Sequence, residues 1–140
     1  MSIDETFADY AQAFEEAYED GDWTRLERFF SADAVYDPGT GEEVRGRDNI
    51  LSYLQTSVDG LDKKFDSRIL ESSPATSAGN QTTIQWEICY LKAGLPELRI
   101  AGSETATFEG DVICGLVDEF SDGAAEAFQA WIGQHGRSLG

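Results

Sequence analysis

The sequence predicts an α+β fold in which helices lie on one side of a strongly curved antiparallel sheet. Two observations support this prediction. Over most of the first 60 residues apolar side chains recur at helical spacing, whereas in the following 60 residues they alternate with a period of two. A last amphipathic segment, at about residues 122–135, is expected to form a C-terminal helix of the same single domain, residues 1–140.

The first helix is predicted over residues 3–19, and Gly21 is a suitable C-cap for it. Acidic residues cover one face of this helix. A second, short helix runs from about Trp23 to Phe30, and a third follows Asp48 and closes near Gly60. The apolar face of the first helix carries Phe7, Tyr10, Ala11, Phe14 and Tyr18.

Strands are predicted wherever the helical period stops. Between the second and third helices, "AVY" forms a strand, "DPGTG" a turn and "EEVRG" a partner strand. Four further strands follow, separated by the polar loop "ATSAGN", by "GLPE" and by a tight hairpin at residues 109–111. Their sequences are "KKFDSRILES", "QTTIQWEICYLKA", "LRIAGSETATFEG" and "VICGLVDEF".

The charge balance excludes some partners. The chain carries 27 acidic and 10 basic residues, a net charge of −17, so it would repel nucleic acids and anionic membrane surfaces. An acidic surface poor in lysine fits either a salt-adapted protein or an ordinary acidic one. Two cysteines without a CxxC and a single histidine argue against a metal site. The N-terminus has no basic, apolar leader, so a cytoplasmic location is expected.

Three segments carry a resemblance to a known superfamily. They are "YEDGDWTRLERFFSADAVYDP", "VRGRDNILSYL" and "FEGDVICGLVDEFSD", in this order. Together they resemble the nuclear-transport-factor-2-like superfamily, in particular its SnoaL-like and ketosteroid-isomerase-like branches. The resemblance implies a cone of helices and curved sheet around one apolar pocket, a homodimer formed through the sheet, a small hydrophobic ligand and no cofactor.

The ketosteroid-isomerase-like branch implies positions for two acids. Asp37 in "YDPG" stands where that branch has its catalytic base, and Glu104 stands where it has an acid that hydrogen-bonds the developing oxyanion. Phe14 stands at the position of the oxyanion tyrosine and lacks a hydroxyl, whereas Tyr10 lies one helical turn earlier. Because one oxyanion donor is commonly worth a factor of about 100 to 1000, steroid isomerisation by the usual machinery is not expected.

The epoxide-hydrolase branch implies a second set of positions. Its site combines an Arg-x-Asp on one long strand with an aspartate near the end of the last strand. The corresponding residues here are Gln85, Glu87 and Asp118, so the two acids match in kind and the arginine is replaced. The polyketide-cyclase branch needs only a pocket and one well-placed acid, and it stays open.

Strand alternation predicts which of these side chains share a face. We expect Glu87 and Gln85, Glu104 beside Phe108, and Asp118 beside Cys114 to line the cavity. The apolar stretch Trp86, Ile88 and Tyr90 would then lie on the convex face, covered by the C-terminal helix or a second subunit. Acids that converge on one apolar cavity raise each other's pKa, which suits general acid–base catalysis.

Each acid also has a structural interpretation. Asp37 can simply start the turn at Pro38-Gly39, Glu87 can pair with Arg99, Glu104 can be a solvated rim residue, and Asp118 can belong to a loop. Phe14, Tyr18, Tyr53, Gln85 and Phe108 are expected to contact the ligand. The sequence therefore predicts a metal-independent isomerase, cyclase or hydratase, or else a non-catalytic ligand-binding or interaction domain of the same fold.

Overall fold

A long N-terminal helix opens the fold in a computed structural model that describes residues 2–39 and 41–139. Helix α1, Ile3–Asp20, begins where the Ser2 hydroxyl accepts a hydrogen bond from the amide of Glu5. It ends at Gly21, which has a φ of 76° and donates its amide hydrogen to Ala17. That left-handed C-cap confirms the end of the helix expected from the sequence.

The remaining helices are shorter. A 3₁₀ helix spans Trp23–Phe29, α2 spans Arg47–Gly60 and α3 spans Ala124–His135. Two further 3₁₀ turns lie at Asp62–Lys64 and Gly136–Leu139. In the described residues no helix has the length and apolar character that a membrane span requires.

Seven strands form one sheet in the order β2-β1-β7-β6-β5-β3, with β4 pairing to β5 beside β3. The α+β fold expected from the sequence is confirmed, with two differences. Strand β1 runs parallel to β7, so the sheet is mixed, and β4 lies inside the segment predicted as a polar loop. The strands are β1 Phe30–Asp37, β2 Val44–Arg45, β3 Ser67–Ser72, β4 Thr76–Ala78, β5 Gln81–Leu91, β6 Leu98–Glu109 and β7 Val112–Phe120.

The register of β6 decides which side chains meet. Glu104 pairs with Asp118 of β7 on one side and with Ile84 of β5 on the other. Cross-strand partners point to the same face of a sheet, so these three side chains share the face that we call the inner face. An irregularity in the β6–β7 pairing next to Thr107 brings Ile113, rather than Cys114, opposite Phe108. The prediction that Cys114 faces inward is therefore wrong, because the bulge shifts the alternation by one residue.

Two apolar clusters cover the inner face. The larger one packs α1, α2 and the first 3₁₀ helix on β1, β6 and β7, with Leu26, Ile113 and Leu116 almost fully buried. The smaller one packs Trp131 of α3 against Tyr90 and neighbouring residues. Helices therefore cover the inner face along its length, which places charged groups on that face in an apolar environment.

The face assignment of β5 differs from the sequence prediction. Trp86, Ile88 and Tyr90 pair with Gly102, Ile100 and Leu98, so they lie on the inner face with Glu104, where α3 covers them. The alternate residues of β5, among them Glu87, lie on the opposite, outer face. The expectation that Trp86, Ile88 and Tyr90 are convex is wrong, because the bulky side chains occupy the face that the helices cover.

Candidate functional site

A pair of carboxyl groups lies on the inner face between β6 and β7. Glu104 and Asp118 are direct cross-strand partners, and their side chains share a hydrogen bond. Both residues are half-buried, on the face of the sheet that carries the larger apolar cluster. Two acids in contact in such a place cannot both ionise at low free-energy cost.

Tyr36 joins this pair from β1. Its register partner is Leu116, which puts its ring on the inner face, and its hydroxyl donates a 2.5 Å hydrogen bond to Oδ2 of Asp118. Tyr10 reaches the same region from α1, within the electrostatic influence of both carboxyl groups. Two tyrosines and two acids therefore meet where α1 packs on the sheet.

Burial has the largest effect on the pKa values of this group. It raises the pKa of Glu104 well above the ordinary 4.5, and the charge of Asp118 raises it further. Burial also raises the pKa of Asp118 above 3.8, although the hydrogen bonds that it accepts from Glu104 and Tyr36 oppose this shift. The pKa values of Tyr10 and Tyr36 also rise, chiefly through burial and then through nearby carboxylate charge. The favoured state is a protonated Glu104 that donates to an ionised Asp118.

Asp37 lies at the end of β1, one residue after Tyr36. Its Oδ1 accepts a 2.9 Å hydrogen bond from the amide of Gly39, so it closes the turn as the structural interpretation expects. Its charge acts on Asp118, whose pKa it raises. By alternation, however, Asp37 leaves the strand on the side opposite to Tyr36.

Gly39 packs this turn onto the last strand. It has a φ of 82°, and a Cβ at this position would lie 2.7 Å from the backbone oxygen of Asp118 and 3.3 Å from the Phe120 ring. Only glycine allows so close an approach in this conformation. The "DPG" turn thus supports the backbone that carries Asp118.

Glu87 and Gln85 lie apart from the carboxyl pair. Both belong to the outer face of β5, and Glu87 forms a 2.6 Å ion pair with Arg99, half of whose side-chain surface is exposed. The expectation that they face inward with Glu104 is wrong, because the β5–β6 register puts Ile84 and Trp86 there. The structural interpretation of Glu87, an ion pair with Arg99, is confirmed.

Most of the residues expected to contact a ligand lie in or against the larger apolar cluster. Phe14, Tyr53 and Phe108 belong to the larger apolar cluster, and the Tyr53 ring packs edge-on against Tyr36 with centroids 5.8 Å apart. Tyr18 also packs against this cluster, and in addition its ring centroid lies 4.3 Å from the guanidinium of Arg68.

Sequence reasoning missed Tyr36. Strand alternation in "AVYDP" could have identified this residue. If Ala34 faces the core, then Tyr36 also faces inward and Asp37 faces outward. The sequence favours Asp37 because it precedes a proline, but Tyr36 makes the contact with Asp118.

The chain belongs to the SnoaL-like domain family, which it matches over residues 11–116. This confirms the resemblance stated for the sequence. A comparison with curated proteins found no significant match.

Solved structures confirm the nuclear-transport-factor-2-like fold. A SnoaL-like candidate polyketide cyclase from Shewanella denitrificans superposes with a TM-score of 0.66 at 15% identity, covering 93% of this chain and 99% of the other. A nuclear-transport-factor-2-like protein of unknown function from Cytophaga hutchinsonii gives 0.65 at 16% identity, covering 86% and 100%. A ketosteroid-isomerase-like protein from Catenulispora acidiphila in complex with trimethylamine gives 0.63 at 20% identity, covering 82% and 87%.

Proposed function

We propose that this SnoaL-like protein is an acid–base enzyme that acts on a small, largely apolar molecule by isomerisation, cyclisation or hydration. The observation that carries the proposal is the hydrogen-bonded group of Glu104, Asp118 and Tyr36 on the inner face of the sheet. A fold has no structural need for two touching carboxyl groups beneath its helices, because apolar residues would pack there at lower free energy.

The unequal environments of the two acids define their roles. Asp118, which accepts two hydrogen bonds, is the base that removes a proton from carbon or from water. Glu104, kept protonated by burial and by the neighbouring charge, is the acid that donates a proton or a hydrogen bond to a developing oxyanion. Tyr36 holds the Asp118 carboxylate in place, and Tyr10 is the second phenol within reach of the developing charge.

This proposal gives Asp37 a different role from the one that the resemblance implies. Its side chain is engaged with the amide of Gly39, and we propose that it positions Asp118 through the turn rather than acting as the base. Glu87 has no part in the chemistry, because Arg99 neutralises it on the outer face.

A second function, non-catalytic ligand binding or protein interaction, is favoured by the packing around the pair. Tyr10 packs edge-on against Phe29 and Phe30, with ring centroids 5.7 and 5.5 Å away. Two grooves of about 590 and 320 Å³ open on the surface, and neither is lined by Glu104 or Asp118. The aromatic side chains around Tyr10 therefore fill the space between α1 and the sheet, as they would in a domain that carries out no chemistry there.

Ligand screening distinguishes these functions. Thermal-shift measurements of the full chain against small hydrophobic ketones, epoxides and lactones, with analysis of each bound compound for conversion, test the wild type beside Asp118→Asn and Glu104→Gln. We expect a compound that stabilises the wild type and is converted, with conversion falling about 100-fold or more in Asp118→Asn.

Glu87→Gln is the matched control, because it makes the same chemical change on the outer face and should convert the compound normally. A compound that binds and is recovered unchanged from the wild type would favour the ligand-binding function. Equal conversion by wild type and Asp118→Asn would refute the proposed base.

Two sequence-based expectations join this proposal. We propose that the chain acts as one domain and as a homodimer formed through the outer face of the sheet. That face carries small and hydroxylated side chains, such as the hydrogen-bonded Thr83 and Thr105, beside Val117, which is 36% exposed. Light scattering at several protein concentrations tests the dimer, and a mass of 15.4 kDa throughout would contradict it.

A further inference from the structure

A groove of about 590 Å³ runs between α1, the first 3₁₀ helix and the start of α2. Three of the seven arginines of this acidic chain line it, namely Arg25, Arg28 and Arg47. The groove is separate from the carboxyl pair, because neither Glu104 nor Asp118 contributes to its lining. An accumulation of cationic groups on one groove is unexpected in a protein of net charge −17.

Two of these arginines form no ion pair within the described part of the chain. Arg25 is ion-paired with Asp20, whereas Arg28 and Arg47 form no ion pair with any carboxylate among residues 2–39 and 41–139. Every other arginine–carboxylate pair of these residues lies elsewhere on the fold. With 27 acidic residues in the chain, unpaired arginines on one groove indicate that their partner comes from outside.

The two side chains are partly fixed. The Arg28 guanidinium lies over the ring of the buried Phe29, 4.2 Å from its centroid, which orients its plane. Arg47 is the first residue of α2, and its buried Nε has no hydrogen-bond partner among the described groups. An unsatisfied buried N–H of a guanidinium is costly, and a shift of the Arg47 side chain toward an oxygen atom in the groove would relieve that cost.

We propose that this groove binds a small oxyanion, a carboxylate or phosphate group, through Arg28 and Arg47. Guanidinium groups bind both anions with paired N–H···O hydrogen bonds. Glu16 and Glu27 also line the groove and limit its net positive charge, so the groove selects a compact anion over an extended polyanion such as a nucleic acid. The proposal is independent of the acid–base chemistry assigned to Glu104 and Asp118.

Calorimetric titration of the full chain with sodium succinate and with inorganic pyrophosphate, each at low salt, tests the proposal. We expect saturable binding of at least one anion, weakened about tenfold or more by Arg47→Gln and by Arg28→Gln. Raising the KCl concentration should weaken it further through screening. Binding of succinate alone would assign a carboxylate ligand, and binding of pyrophosphate alone a phosphate ligand.

Arg45→Gln is the matched control. Its side chain is 72% exposed and paired with Glu43, it lies two residues from Arg47, and it does not line the groove. It should leave the affinity within about twofold of the wild type. Absence of saturable binding for both anions, or an equal loss in Arg45→Gln, would overturn the proposal. If Arg47→Gln unfolds by circular dichroism, Arg28→Gln decides alone.

Discussion

Replacing Glu104 with glutamine should remove the part of the pH dependence of stability that comes from the titration of this carboxyl group. The amide has nearly the shape of the carboxyl group, and its N–H₂ can donate the hydrogen bond that the protonated acid gives to Asp118. Glu104→Gln therefore copies the protonated state and removes its titration. The aromatic packing around the pair is left unchanged.

The sign and size of the effect follow from linkage. Burial, and then the charge of Asp118, raise the pKa of Glu104 in the folded protein above its ordinary 4.5. Above that pH the folded state holds a proton that the unfolded state has lost, so the free energy of unfolding falls as pH rises. The slope is about 1.4 kcal/mol per pH unit until pH reaches the folded pKa. Below pH 4.5 both states are protonated, and the stabilisation is fully present.

The free energy of unfolding of the variant should therefore rise relative to that of the wild type as pH increases. We expect the difference in free energy of unfolding to grow by about 1.4 kcal/mol per pH unit between pH 5 and the folded pKa of Glu104, or about 5 °C in melting temperature per pH unit. Urea unfolding followed by tryptophan fluorescence, from pH 4 to pH 8 at constant ionic strength, measures this difference. Titrations of groups that do not interact with Glu104 cancel between the two proteins.

Glu87→Gln controls for the loss of one negative charge from a very acidic chain. Its ion pair with Arg99 is exposed, so we expect a change within about 1 kcal/mol. Parallel stability profiles for wild type and Glu104→Gln between pH 5 and pH 8 would refute the reasoning. They would mean that Glu104 titrates in the folded protein as it does in the unfolded chain.

Two further predictions concern the supports of the fold. Gly39→Ala should destabilise the protein by about 1–3 kcal/mol, because a Cβ there strains a positive φ and meets the backbone of Asp118. Gly41→Ala has a φ of 104° but no atom within 4 Å, so it shares the strain without the contact, and thermal unfolding of both should show the larger loss in Gly39→Ala. Arg68→Met should lose about 3–5 kcal/mol, because its 5% exposed side chain pairs with two acids and one of them is left buried without its cation. Arg99→Met breaks exposed pairs and should lose at most about 1 kcal/mol in the same urea titrations; equal losses would contradict the effect of burial.

The elements of the fold could be predicted because they depend on local patterns. The helical spacing of Phe7, Tyr10 and Phe14, and the glycine at the end of α1, act within one element and are visible in the sequence. Alternation within β5 was also visible. Which of its two faces lies under the helices was not, because that depends on the register with β6, and a shift of one residue exchanges the faces.

The candidate site was partly predictable for the same reason. Glu104 and Asp118 were both expected to face the cavity, and the register makes them direct partners. The hydrogen bond from Tyr36 depends on the parallel pairing of β1 with β7, which joins the two ends of the sequence. Local patterns carry no signal for such a long-range pairing, so the sequence alone favours Asp37 over Tyr36.

The turn at Asp37 and the acid at Asp118 form one arrangement. Asp37 closes the turn through the amide of Gly39, and Gly39 lies against the backbone of Asp118 because it has no side chain. Tyr36, one residue earlier, holds the Asp118 carboxylate from the inner face. The end of β1 therefore fixes Asp118 by both its backbone and its side chain, while Glu104 shares its proton from β6.

A chain that only needed to close its sheet could do so with apolar residues here, and placing two acids instead lowers stability at neutral pH. Stability given up at one rigidly supported point is typical of sites where the protein acts on another molecule.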